Sequence, residues 1–252
     1  MIEIFILSLI QGITEFLPIS SSSHLIIFSK YVSAENKNLT IDVSLHIGSF
    51  LAAITYFHKD IINFIKNKYL FLKIITASIP IMLFGFFLVK SNFIEKIRNI
   101  EVIGWTTLIF GILLYISDKY KLEKKINTDF DYKSAIVIGM FQILALIPGV
   151  SRSGISITAA RLLNFERFDA AKIAFLLSIP TLGAVSIFGL ADLVKREDTS
   201  FSTINIIAIL CSFFFSFITI KFFLKYIKNF SLNIFVIYRV VLGATLLLIT
   251  YL

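Results

Sequence analysis

The chain has 252 residues, 57% of them hydrophobic, with 27 Phe, only 16% charged residues and a formal net charge of +8. A mean hydropathy of +0.88, with the apolar residues in long runs, excludes an ordinary soluble domain and defines an all-α polytopic membrane protein, a single membrane-embedded domain over 1–252. The Lys and Arg residues fall mainly in short loops between apolar runs, which assigns the positive charge to topology and anionic membrane lipids rather than to nucleic acid, and the single Cys211 excludes an internal disulfide and a cysteine metal cluster.

Residues 2–30 form the first apolar stretch. It lacks a basic leader, carries Glu3 early and ends in Glu15 and serines rather than a cleavage site, so it is expected to be retained. Pro18 and the serines divide it into two half-helices, neither of the roughly 20 residues a spanning helix needs. Candidate spans follow at 41–57, 70–89 and 100–117. A second broken stretch, 134–163, is interrupted at Pro148-Gly149, and three further spans are expected at 169–193, 203–224 and 233–252.

Helix-breaking backbone at membrane depth is tolerated only where protein or a water-filled cavity surrounds it. Residues 2–30 and 134–163 are therefore expected to be re-entrant helix hairpins, giving six spanning helices plus two hairpins. Three spans separate the hairpins, which makes the second enter from the opposite face. The expected architecture is an inverted repeat of about 1–117 and 130–252, with the broken tips meeting near the midplane. A recurrent Ser-Ile-Pro, at Ser78 to Pro80 and Ser178 to Pro180, is a second sign of duplication. The loops 58–69, 118–133 and 225–232 carry Lys59, Lys66, Lys68, Lys119, Lys121, Lys124, Lys125, Lys225 and Lys228. The opposite loops carry Lys37, Lys90, Lys96, Arg98, Lys195 and Arg196. This modest bias puts the first group in the cytoplasm and both termini outside.

Ionisable side chains at such depth are costly and mark functional sites by default. In Gln11-Gly12-Ile13-Thr14-Glu15-Phe16-Leu17-Pro18-Ile19-Ser20-Ser21-Ser22-Ser23-His24, Gln11 and Glu15 lie four apart on one helix face and can share a ligand or a metal ion. Beyond Pro18, the serines supply hydroxyls and the free amides of a new helix start, an arrangement suited to phosphate, and Ser21 and His24 share a face. In the second hairpin Arg152, flanked by Ser151 and Ser153, offers a planar cationic fork for phosphate oxygens. Together these are the parts of phosphoryl chemistry, and the absence of a Gly-rich Walker loop argues against a nucleotide substrate.

Simpler readings stand beside these. The serines are also an N-cap, Glu15 and Arg152 also a mutual ion pair, and His24 also a packing residue. His46 either lines the cavity or hydrogen-bonds within the bundle. Asp42 caps a helix and His58 is solvated at an interface. Arg239 is read as snorkelling to the interface, with a second phosphate contact as the alternative. Inverted repeats with broken helices also describe carriers, so a polyprenyl-phosphate transporter or flippase is the rival function, and a silent scaffold a third.

The residues Gln11 to Leu25 and Pro148-Gly149-Val150-Ser151-Arg152-Ser153-Gly154 resemble the integral-membrane undecaprenyl-diphosphate phosphatases associated with bacitracin resistance. Leu45-His46-Ile47-Gly48-Ser49, Leu177-Ser178-Ile179-Pro180 and Ile237-Tyr238-Arg239 extend the likeness nearly end to end. Gln11 with Glu15 fits the Gln form of the family's Glu-or-Gln, then Glu, pattern. Ser23 stands where many members have Gly, which permits backbone that Ser disfavours.

The resemblance implies hydrolysis of the terminal phosphate of a C55 polyprenyl diphosphate, giving a carrier reused in cell-wall assembly. It also implies a divalent cation, Mg²⁺ or Ca²⁺, a site open to the outer face of the bacterial cytoplasmic membrane, and a possible homodimer. Glu15 with Gln11 is then expected to bind the cation. Arg152, Ser151, Ser153 and the amides at Ser21, Ser22 and Ser23 are expected to hold phosphate, with Ser21 as nucleophile and His24 as acid or base. Direct attack by water uses the same residues.

Overall fold

The computed structural model describes residues 1–31, 39–66, 68–90, 96–119, 123–195 and 202–252. Lys37, Lys121 and Arg196, which enter the charge bias above, lie outside them. The described residues contain six helices long and apolar enough to cross a membrane, so the chain is a multi-pass helical membrane protein. These are α3 (Leu39–Tyr56), α5 (Lys68–Lys90), α6 (Ile100–Asp118), α9 (Arg167–Lys195), α10 (Thr203–Ile227) and α11 (Asn233–Tyr251). Two pairs of shorter helices stand apart from them: α1 (Ile2–Thr14) with α2 (Ser21–Tyr31), and α7 (Tyr132–Ile143) with α8 (Arg152–Leu162).

One expected loop is a helix: residues 58–69 contain α4 (His58–Lys66). The reason is amphipathic packing. Phe64 lies on the core and meets Phe71, while Asp60 pairs with Lys172 of α9 at 2.6 Å. His58 is exposed, as expected. Pro80 and Pro180 both lie inside spanning helices. By element order they sit in the second span after the first broken pair and the first span after the second. The Ser-Ile-Pro recurrence therefore does not mark equivalent helices.

The two breaks follow from local chemistry. A residue before proline avoids helical backbone, and proline donates no amide hydrogen bond. α1 accordingly ends at Thr14, and the chain turns through Pro18 to Ser20, which is left-handed at φ 73°. In the second pair, Ile147 is extended before Pro148 (φ −82°, ψ 126°). Gly149 follows at φ 95° and Ser151 at φ 71°. Gly149 is required there, because a side chain would run into Thr106 Oγ1.

Buried backbone freed at the breaks must find partners. Thr106 Oγ1 donates to Pro148 O at 2.6 Å, Ser153 Oγ donates to Leu17 O at 2.8 Å, and Arg239 takes up two further carbonyls, described below.

Packing between the helices is close. α1 and α3 both lie on α10, where Gly12 meets Phe215 and Ser216, and Gly48 meets Ile209 and Ser212. Ser212 Oγ donates to Leu45 O at 2.7 Å. Small residues let backbones approach where lipid offers no hydrophobic drive for helix association. α7 packs on α5, α9 on both α3 and α5, and α6 on α11. The fully buried Phe16 packs edge-on against Phe175 of α9 at 5.4 Å, which anchors the first break to the bundle beside Glu15.

Candidate active site

Glu15, buried at the end of α1, is the hub of a polar cluster drawn from both breaks. Its Oε2 accepts from Ser21 Oγ at 2.5 Å and from Gln11 Nε2 at 3.1 Å. Its Oε1 accepts from Arg152 Nη2 at 2.7 Å, an ion pair across 137 residues of sequence. Arg152 also donates through Nη1 to Thr181 Oγ1 at 2.5 Å. The four-residue spacing of Gln11 and Glu15 thus places both groups together, and the structure adds His46, whose Nδ1 lies 3.1 Å from Gln11 Nε2. Since that amide nitrogen donates, His46 Nδ1 accepts, which is a hydrogen bond within the bundle to a residue of the hub.

The expected pairing of Ser21 with His24 is absent from the geometry: Ser21 meets Glu15, while His24 has other partners. His24 Nδ1 lies 2.6 Å from Ser20 O, and Nε2 lies 2.5 Å from Tyr238 OH of α11. Residues three apart on a helix share a face, but which group each side chain meets is decided by what packs above them. Ser22 is exposed at the start of α2. Ser23 is buried and helical, donating to Ser20 Oγ at 2.9 Å. The left-handed residue of this turn is Ser20, so Ser23 in place of Gly meets no backbone penalty.

In the second break, Ser151 caps α8 by accepting from Gly154 N at 3.2 Å, and its hydroxyl lies 3.2 Å from that of Ser153. Ser153 in turn holds Leu17 O. Both hydroxyls therefore have protein partners and brace the two turns around Arg152.

Arg239 corrects the sequence reading. It is fully buried and does not snorkel. Its guanidinium donates to Thr107 O at 3.2 Å, Pro18 O at 3.2 Å and Gly149 O at 3.0 Å. One side chain of α11 thus ties both proline breaks to α6. The reason is the breaks themselves: they leave the buried Pro18 and Gly149 carbonyls in need of a donor, and a planar fork reaches both as well as Thr107 O of α6.

Sequence reasoning missed Thr181, whose signal is its place just after Pro180, and it missed Tyr238 as a partner of His24. It also missed a second buried node. Asp118 at the end of α6 accepts from Arg167 Nε at 2.8 Å and from Leu232 N at 3.1 Å, and lies 3.2 Å from Arg161 Nη2. Arg161 is nine residues along α8 from Arg152, about 14 Å at helical rise, so this node braces the far end of the same helix.

No three His, Cys, Asp or Glu residues among those described are grouped to hold a metal. The donors at the hub are the Glu15 carboxylate and Gln11 Oε1, a buried acceptor without a partner. That sparse set fits a cation that keeps waters and takes its other ligands from a bound diphosphate, as Mg²⁺ does, better than an all-protein cage.

The fold and site define a multi-pass helical membrane protein with a carboxylate, a hydroxyl and a guanidinium in contact between two broken helix pairs. The family profile described as bacitracin resistance protein BacA matches residues 4–245, and the chain belongs to that family. It is 48% identical over 251 residues to an undecaprenyl-diphosphatase of Pelagibacter ubique, covering 99% of this chain and 98% of the relative. It is 41% identical over 262 residues to one of Jannaschia sp., covering 98% of each. A third undecaprenyl-diphosphatase, from Saccharophagus degradans, is 43% identical over 253 residues, covering 95% of this chain and 94% of the relative. All three are named for hydrolysis rather than for transport.

Proposed function

We propose that this protein hydrolyses undecaprenyl diphosphate to undecaprenyl phosphate and inorganic phosphate, returning the lipid carrier to cell-wall synthesis. The observation that carries the mechanism is the Glu15 carboxylate, in hydrogen-bond contact with both Ser21 and Arg152. A nucleophile beside its base, with the base oriented by a third group, is the arrangement that acyl and phosphoryl transfer need.

In this mechanism the lipid tail stays in the bilayer and the diphosphate enters between the two breaks. The free N–H groups of Arg152 and the amides that open α2 at Ser21, Ser22 and Ser23 hold its oxygens. Glu15 takes the Ser21 proton as Oγ bonds to the terminal phosphorus and the bridging P–O bond breaks, releasing undecaprenyl phosphate. Water then attacks the phosphoserine: one of its protons passes to His24, Glu15 returns its proton to Ser21 Oγ, and phosphate leaves. Glu15 and Gln11 Oε1 would hold a divalent cation, which would supply neutralisation of the diphosphate charge.

The proposed architecture treats α1–α2 and α7–α8 as re-entrant hairpins of an inverted repeat within one domain. Its support is reciprocal packing: α1 lies on α10 as α7 lies on α5, and α3 on α10 as α9 on α5. A left-handed serine also stands directly before each second half-helix. The proposed setting is the bacterial cytoplasmic membrane, with the site open outward, and a homodimer as the assembled form.

The test is phosphate release from a polyprenyl diphosphate by detergent-purified protein with Mg²⁺, Ca²⁺ or chelator, beside Glu15→Ala and Arg152→Ala. Metal-dependent release lost in both variants is expected. No release by folded wild type under several lipid and metal conditions overturns the proposal in favour of a carrier. Trapping of phosphate on Ser21 separates the covalent route from direct attack by water.

A further inference from the structure

We propose that Tyr238 is a positioning residue for His24, setting its ring orientation and tautomer and forming the path by which a proton leaves it. The inference rests on the phosphatase reading above. The Ser20 carbonyl only accepts, so the 2.6 Å contact requires a proton on His24 Nδ1. In the neutral ring Nε2 is then the bare nitrogen, and the Tyr238 hydroxyl, 2.5 Å away, donates to it. In the charged ring the same contact reverses, with Nε2 donating to the phenol oxygen. A hydroxyl is both donor and acceptor, so one partner serves both charge states.

With both ring nitrogens occupied, His24 exchanges protons with the site only through the phenol. When the phenol passes its own proton to Nε2, its oxygen takes back, through solvent, the proton that the attacking water gives up, so that no charge is left on the tyrosine and the phenol acts through His24. The return step runs in the opposite sense. Tyr238 is 41% exposed and meets the ring at the nitrogen that Ser20 leaves open. Its position is not left to a flexible loop: the next residue, Arg239, is buried and bonded to Pro18 O, two residues before Ser20. α11 thus holds both the first break and the histidine that follows it.

This arrangement parallels second-sphere partners that fix a catalytic imidazole, whose loss lowers turnover without removing the reacting group. The experiment is a double-mutant cycle on phosphate release using Tyr238→Phe, His24→Gln and the double variant, each checked for a wild-type unfolding midpoint. Tyr238→Phe is expected to lower kcat about 30-fold, below the roughly 100- to 10,000-fold of an acid–base group itself, with KM within about 2-fold. Added to His24→Gln, it is expected to cost less than about 2-fold, because two residues acting as one unit are not additive.

Wild-type kcat in Tyr238→Phe, or an equal loss in both backgrounds, overturns the proposal while leaving the phosphatase reading intact. No release by wild type overturns that reading and the proposal with it. If His24→Gln falls below detection, nitrogen chemical shifts of [15N]histidine-labelled protein decide. His24 is expected to carry its proton on Nδ1, and Tyr238→Phe to move its Nε2 resonance. An unmoved resonance overturns the proposal.

Discussion

The two breaks use one backbone device for different ends. Counting from Gln11 and Gln142, a left-handed serine stands nine residues on in each, at Ser20 and Ser151, and a half-helix starts at the next residue. The side chains in register differ: Glu15 faces Leu146 in the count, Ser21 faces Arg152, and His24 faces Ile155. Gln11 is tied to Glu15 and His46, whereas both amide atoms of the fully buried Gln142 lack a partner. The first break carries the carboxylate, the Ser21 hydroxyl and the imidazole, and the second lends a cation and two bracing hydroxyls. A shared backbone device therefore does not imply a shared site.

The sharpest way to break this contrast is at the hydroxyls. Ser21→Ala is expected to lower phosphate release by roughly 10²- to 10⁴-fold with an unchanged unfolding midpoint. Ser153→Ala, which removes the bond to Leu17 O and the contact with Ser151 Oγ, is expected to cost about 1 kcal/mol of stability and less than about 10-fold in rate. Comparable losses of rate in both would show that the second break carries chemistry of its own.

Arg239 tests whether the two breaks are held as one unit. Lysine cannot reach Thr107 O, Pro18 O and Gly149 O at once, so Arg239→Lys is expected to destabilise by roughly 3 kcal/mol, at about 1–3 kcal/mol for each carbonyl left unbonded. Thermal unfolding in detergent measures this, and an unchanged midpoint would mean that the breaks hold without it.

The glutamines give a smaller and more pointed comparison. Gln11→Leu removes a donor to Glu15 and is expected to lower phosphate release about tenfold, worth about 1.4 kcal/mol. Gln142→Leu replaces an unbonded buried amide and is expected to leave release within about 2-fold and stability equal or higher. A loss of rate at Gln142 would make the second glutamine functional.

The smallest effect belongs to Asp131, outside the spans, which caps α7 by accepting from Ser134 N at 2.8 Å. Hydrogen bonds from the Ser134 side chain and amide hold its carboxyl below the usual aspartate range. Asp131→Ala is expected to cost about 1 kcal/mol at neutral pH. A carboxylate with a lowered folded-state pKa stabilises above its unfolded pKa and loses that contribution as pH falls through the folded value. The gap between wild type and variant is therefore expected to close as pH drops below about 4. A gap independent of pH would place the effect in something other than the charged cap.

Much of this molecule was legible before its packing was known. The six spans end within three residues of the positions expected from apolar runs, and both breaks fall at the expected prolines. These are local properties: hydrocarbon thickness sets the run length, and proline's missing amide ends the helix wherever it occurs. The amphipathic α4 is not legible as a helix in the apolar runs, because its charges mask an apolar face that only Phe71 and the α9 cation reveal.

The sequence by itself determined the class of protein, the location of the breaks and which polar and ionisable side chains lie beside them, because composition, helix length and side-chain chemistry do not depend on distant residues. The tertiary structure alone decided which groups meet. It put Ser21 on Glu15 rather than on His24, gave His24 to Tyr238 across 214 residues of sequence, and buried Arg239 against carbonyls from both breaks. Those choices depend on how separate helices pack, and a residue's own neighbours in sequence carry no record of which distant helix will cover it.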